Sequence, residues 1–122
     1  MSLTAQVRTF DFNLKGLIFD GDLESTFPQD YDYLVDINLR CSFHLTLLFQ
    51  RYLEVSRGCL VNVSSVMGNR PMAGVIGYSM TKAGLEMMTK CLALELAPAG
   101  VRINCVVPGT MDTNLYRYSG MS

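Results

Sequence analysis

The sequence has a single histidine, His44, and no C-x-x-C pair among its four cysteines, Cys41, Cys59, Cys91 and Cys105. A tetrahedral metal site needs several thiolates and imidazoles converging on one point, so no metal-ligand set is expected. Each cysteine stands among Leu, Val, Ile or Met, which reads as buried thiols of a reducing compartment. His44 lies in an apolar helical run with no acid placed around it, and is read as a core or interface residue. There is no G-x-S-x-G either, so hydrolysis by a serine–histidine pair has no support. Formal charge is −1 with a pI of about 5.7, and no Lys/Arg run could follow a phosphate backbone, which argues against nucleic acid. The opening MSLTAQVRTF lacks the apolar stretch of a secretory signal, and no run is long enough to cross a bilayer. A cytoplasmic protein without membrane contact is the expectation.

What is present is 122 residues, about one small domain, with 49% hydrophobic and 17% charged residues. So apolar a surface is expected to want a partner. Residues 1–38 hold seven acids and two bases, and residues 39–122 hold four acids and eight bases, giving one acidic and one mildly basic surface.

The first 24 residues contain strand-like pieces, notably LIF at 17–19, followed by the turn signal D-G-D. Thr26 is a candidate helix cap, with a proline two positions later and acids in the first turn. Leu34, Ile37, Cys41, Leu45 and Leu48 then form a helical stripe, predicting a helix over 29–55 that Gly58 stops. CLVNVSS at 59–65 is an apolar run without strict alternation, as expected of a parallel strand covered on both faces. A glycine-rich loop, VMGNRPMAGVIG, leads to a second helix over 78–97, ended by P-A-G. Glu86 and Lys90, spaced i and i+4, are placed on its solvent side. VRINCVV at 101–107 is the next buried strand. Strands alternating with helices through short connections predict an α/β fold with a parallel sheet.

Residues four apart on a helix share a face, so Tyr78 and Lys82 are neighbours. A cation beside a phenol favours the phenolate, which gives this spacing a chemical use, yet the same spacing also makes an ordinary surface pair. Position favours chemistry: the pair opens a helix near the C-terminal end of a buried strand, where open α/β sheets place their ligands. Ser64 and Ser65 end that strand, and either could hold a substrate oxygen or satisfy turn backbone. Asn38, within an apolar helix, is either partly exposed or a buried polar node; Asn62 and Asn104 raise the same question.

Together these segments resemble the short-chain dehydrogenase/reductase family over about Tyr31 to Leu115. The likeness rests on VDINLR at 35–40, GCLVNVSS at 58–65, YSMTK at 78–82, LALELAPAGVRINCVVPG at 92–109, and Thr113. Ser65 and Tyr78 are 13 positions apart, as is usual in the family. The resemblance implies that Tyr78 exchanges the hydroxyl proton, that Lys82 lowers its pKa and binds the nicotinamide ribose, and that Ser65 orients the substrate oxygen. Asn38 would complete a proton relay, with Pro108, Gly109 and Thr113 approaching the cofactor, NAD or NADP.

The family's G-x-x-x-G-x-G turn is missing, and FDGD at 19–22 keeps only the glycine of its N-N-A-G. Residues 1–122 are therefore expected to form one incomplete domain: a partial Rossmann-like parallel sheet with flanking helices, lacking the dinucleotide-binding strands. By resemblance the activity is NAD(P)-dependent interconversion of an alcohol and a carbonyl compound, with cofactor binding by this chain alone weak or absent. The alternative is a catalytically silent family member that pairs with itself or a full-length relative through helices 29–55 and 78–97.

Overall fold

A computed structural model describes the backbone of residues 9–12 and all of residues 28–109. The elements run β1 (Thr9–Phe12), α1 (Pro28–Val35), a π turn (Asp36–Arg40), α2 (Cys41–Ser56), β2 (Cys59–Val63), a 3₁₀ turn (Val66–Gly68), α3 (Ile76–Leu96), a second 3₁₀ turn (Ala97–Ala99) and β3 (Arg102–Val106). The sheet order is β1-β2-β3, parallel throughout, with Leu60 of β2 paired to Phe10 and to Ile103. Parallel neighbours joined by crossover helices are what the alternating pattern predicted. LIF at 17–19, the D-G-D turn and the Thr26 cap lie outside the described residues, as does Thr113.

Because β1 ends at Phe12, the residues next in sequence are Asn13-Leu14-Lys15-Gly16. That corrects the placement of the family's strand-end turn at FDGD: Asn13 and Gly16 keep the first asparagine and the glycine of N-N-A-G. A four-residue strand reading T-F-D-F gives too short an alternation to stand out in the sequence.

The core joins Leu53 of α2, Leu60 of β2, Leu96 of α3, and Val101 and Ile103 around β3, with Leu92, Ala93 and Ala99 packed against them. Each buried leucine or isoleucine contributes about 1.5–3 kcal/mol. Cover on the second sheet face is only partial among the described residues, with Cys59, Val61 and Val63 of β2 half-buried there. Leu60, Asn62 and Ile103 are buried on the helix side, whereas Arg102, Asn104 and Val106, alternating with them, are exposed.

The first long helix is broken in character, though continuous: its middle is the π turn, across which Asp36 and Arg40 pair at 2.5 Å. Its buried side also differs from the apolar stripe read in the sequence. Leu34, Asn38, Ser42, Thr46 and Leu53 face inward, while Leu48 is 70% exposed. The Thr46 hydroxyl donates to Ser42 O at 2.8 Å, so a small polar residue is buried without an unmet hydrogen bond. Gly58 does follow the helix, but the left-handed C-cap is Arg57 (φ 49°, ψ 45°), after which Gly58 N donates to Leu53 O at 2.9 Å. The cysteines are less buried than expected: Cys91 is exposed and the other three are half-buried, all as free thiols. His44 is exposed beside the Phe43 ring.

Candidate active site

The C-terminal ends of β2 and β3 are tied together beyond the sheet itself. Ser64 N donates to Val106 O at 2.9 Å, and Val66 N donates to Pro108 O at 3.0 Å. Pro108 and Gly109 are thereby held beside the loop that begins at Ser65. Among the described residues nothing lies within 4 Å of a Cβ placed on Gly109, so the backbone there faces open space.

The two serines have different environments. Ser64 is 3% exposed, and its hydroxyl lies 2.7 Å from Glu86 Oε1 and 3.2 Å from Lys82 O, pointing into α3. Ser65 is half-buried and extended (φ −157°, ψ 152°), capping the 3₁₀ turn by accepting from Met67 N at 3.3 Å. A hydroxyl that accepts in this way keeps its own proton for another acceptor. The serine pair therefore separates into an inward-facing Ser64 and a loop-facing Ser65.

Tyr78 sits in the first turn of α3, 4% exposed, its ring packed with Met67, Val75 and Val66. Ser65 caps the very turn this ring packs against. Lys82, one helical turn on, is also 4% exposed; its Nζ lies 5.6 Å from the centre of the Tyr78 ring and donates to Val63 O at 3.0 Å. Burial pushes the Lys82 ammonium below the ordinary lysine range, with Cys105 opposing the shift. Burial likewise raises the thiol of Cys105 above its usual value.

Asn38 is buried, 2% exposed, which decides between the two readings of it. Its amide donates to Thr81 Oγ1 at 3.2 Å, and the Thr81 hydroxyl donates to Tyr78 O at 2.8 Å. The π turn carries Asn38, and a π turn inserted into an α-helix is often found at a functional site. Two glycines of α3 allow this approach: a Cβ on Gly77 would stand 3.0 Å from Leu34 Cδ1, and one on Gly84 3.0 Å from Leu39 Cδ2. Asn62 repeats the arrangement further along, donating to Thr89 Oγ1 at 2.9 Å, whereas Asn104 is exposed.

The structure thus brings Asn38, Ser65, Tyr78 and Lys82 to one end of α3, with Pro108 and Gly109 tied to the same loop; Thr113 lies outside the described residues. Sequence reasoning missed Thr81, whose hydroxyl links Asn38 to the Tyr78 main chain. It also misplaced Glu86, which turns inward to Ser64. Among the described residues no helix is long and apolar enough to cross a membrane, and no cluster of His, Cys, Asp and Glu could hold a metal ion.

The pattern of the short chain dehydrogenase family matches residues 8–120. The L-fucose dehydrogenase of Bos taurus is 38% identical over 93 residues, covering 76% of this chain and 34% of that protein. The 3-oxoacyl-[acyl-carrier-protein] reductase FabG of Thermotoga maritima is 37% identical over 102 residues, covering 83% and 42%. This chain therefore spans well under half the length of these curated relatives. Among solved structures, a short-chain dehydrogenase from Sphingobium yanoikuyae in complex with NADPH superposes with a TM-score of 0.88 at 25% identity, over 97% of this chain and 46% of that one. A gluconate 5-dehydrogenase from Burkholderia cenocepacia, in complex with NADP and tartrate, gives 0.85 at 25% identity, over 90% and 43%. The three-stranded parallel sheet is accordingly part of a Rossmann-like fold, and the chain belongs to the short-chain dehydrogenase family.

Proposed function

We propose that this chain carries the proton-transfer and nicotinamide end of an NAD(P)-dependent oxidoreductase site that interconverts an alcohol and a carbonyl compound. The observation that carries this reading is the burial of Lys82 against the Tyr78 ring, at the end of the sheet where Ser65, Pro108 and Gly109 also lie. A buried lysine ammonium without a carboxylate bonded to it is a costly arrangement, and one reason to keep it is the chemistry of a neighbour. Tyr78 would exchange the proton of the reacting oxygen, and the ammonium would favour its phenolate. Ser65 would donate its remaining proton to that oxygen. Asn38, through Thr81, holds the main chain of Tyr78 in place.

The described residues suit the nicotinamide end of a dinucleotide. Lys82 has three donors, one of which goes to Val63 O, leaving two for ribose hydroxyls. At Gly109 the missing side chain leaves room for a planar ring. When bound, such a cofactor supplies or takes the hydride. No glycine-rich turn is present to receive a pyrophosphate, so the reading covers the nicotinamide and substrate end.

The test is turnover of secondary alcohols and of ketones with NAD(H) or NADP(H), by the chain itself and by a full-length relative in which these residues replace the matching segment. Tyr78→Phe is expected to lower kcat by about 10²–10⁴-fold while leaving cofactor affinity little changed, because it removes the hydroxyl and keeps the ring. An active graft indifferent to Tyr78→Phe would reject the assignment.

A second reading, pairing between copies through the two long helices, is favoured by their outer faces. Phe43, Leu47, Leu48, Tyr52 and Val55 of α2 are exposed, as are Met80, Met87 and Leu94 of α3, with Val55 at 82% and Leu94 at 79%. Apolar stripes of that extent on a surface mark a place for a partner.

A further inference from the structure

Glu86 is placed where a surface glutamate would not be. Four residues before the exposed Lys90, it could pair outward; instead its carboxylate turns in and lies 2.7 Å from the hydroxyl of the buried Ser64. That hydroxyl has one proton and two oxygens in reach, Glu86 Oε1 at 2.7 Å and Lys82 O at 3.2 Å. The shorter contact, to a carboxylate, is the stronger. Ser64 sits between two residues of the proposed site: Val63, whose carbonyl receives the Lys82 ammonium, and Ser65. Its own N–H is fixed to Val106 O. The Val66–Gly68 turn crosses α3 at the same place, so closely that a Cβ on Gly68 would stand 2.6 Å from Glu86 Oε1.

We propose that Glu86 is a positioning residue: through Ser64 it clamps the end of β2 to α3, and so sets where Lys82 and Ser65 stand relative to Tyr78. The inference deepens the oxidoreductase reading and rests on it for the roles of those three side chains. A half-buried carboxylate is a poor choice for stability alone, since an apolar side chain packed there would carry no desolvation cost. Bonded to Ser64, it supplies a directional contact at one fixed height along α3. When the clamp opens, Val63 O moves away from the ammonium, water reaches Lys82, and burial no longer depresses its pKa.

The chain has three lysines, Lys15, Lys82 and Lys90, so lysine side-chain NMR can follow Lys82 directly. Among the described residues, the titratable groups around Lys82 are Tyr78 and Glu86 on α3 and Cys105 on β3. In Ser64→Ala the charge of Glu86 stays and the hydrogen bond goes, and the Lys82 midpoint should rise toward the ordinary lysine value of 10.5. Glu86→Ala should raise it too, although loss of a nearby negative charge by itself would lower it. Glu86→Gln keeps an acceptor oxygen for Ser64 and should leave the midpoint without a rise. A midpoint that stays or falls in Ser64→Ala overturns the proposal, as does an equal rise in Glu86→Gln and Glu86→Ala. Should Glu86→Ala fail to fold, Ser64→Ala and Glu86→Gln decide between them. None of these readouts needs turnover, so an inert Tyr78 in the activity test rejects the oxidoreductase reading and leaves the clamp to be judged by Lys82.

Discussion

Replacing Gly68 with alanine puts one methyl group between the 3₁₀ turn and α3. The added Cβ would lie 2.6 Å from Glu86 Oε1, 3.0 Å from Lys82 C and 3.1 Å from Ala83 N. The carboxylate ends a flexible side chain and can swing aside. The other two atoms are main chain in the interior of a 21-residue helix and cannot. The turn must therefore retreat by a few tenths of an ångström, and Glu86 must leave Ser64. Gly68 does not have a positive φ, so alanine brings no left-handed strain and the contacts decide the outcome. Overpacking of this kind costs about 1–3 kcal/mol. Restricting the unfolded chain returns about 0.4–1 kcal/mol. The weakened bond from Ser64 adds about 1 kcal/mol once water replaces it on the carboxylate.

The net expectation is a loss of about 2 kcal/mol, read as a fall of roughly 1 M in the urea midpoint at an unchanged slope of about 2 kcal/mol/M. Truncating Glu86 in the same chain removes the 2.6 Å contact and leaves the two main-chain ones. The double variant Gly68→Ala/Glu86→Ala should therefore show only part of the summed loss, since the two changes share one contact. A Gly68→Ala chain as stable as the parent would refute the reasoning, because it would mean that the turn does not rest on α3 at Lys82 and Ala83.

Lys82 makes stability depend on pH. Burial holds its folded pKa below the ordinary 10.5, so between the two values the unfolded chain binds more protons and stability rises with pH, levelling off above 10.5. Cys105, whose thiol burial raises above its usual 9.0, pulls the other way at high pH, so the comparison belongs in a Cys105→Ala background. There Lys82→Met should flatten the rise seen in denaturation midpoints, and an identical slope in both chains would show that Lys82 is not its source. For the helix faces, Val55→Glu with Leu94→Glu should shift sedimentation to the monomer; a parent chain already monomeric at every concentration would remove the pairing reading.

The sequence showed most where it repeats a chemical pattern. The segments CLVNVSS, YSMTK and VRINCVVPG located β2, the opening of α3 and β3 to within a residue or two, because apolar runs closed by glycine and proline leave few alternatives. The π turn was invisible: it changes the hydrogen-bond spacing over five residues and hardly disturbs the apolar period around it. The buried face of α2 was misread because apolarity was the signal, whereas Ser42 and Thr46 are buried there and the Thr46 hydroxyl bonds to Ser42 O within its own helix. Glu86 was assigned outward because helical spacing shows only neighbours on the same helix. Its partner Ser64 is 22 positions away, on another element.

Three carbonyls along one side of α3 explain how this small segment can order a site. Tyr78 O accepts from Thr81, Leu85 O from Thr89, and between them Lys82 O faces the hydroxyl of Ser64. Asn38 from the π turn and Asn62 from β2 each donate to one of those threonines, so amide, hydroxyl and carbonyl follow one another twice along the helix. A helix packed only by leucines could slide or rotate by a fraction of a turn at modest cost, since apolar contacts carry little direction. Buried hydrogen bonds spaced along one face fix both rotation and height, because a shift would leave several polar groups without partners at about 1–3 kcal/mol each. On that physical ground α3 is held as a rigid mount for Tyr78 and Lys82, and the polar residues that looked out of place in apolar runs, Asn38 and Asn62, are what hold it.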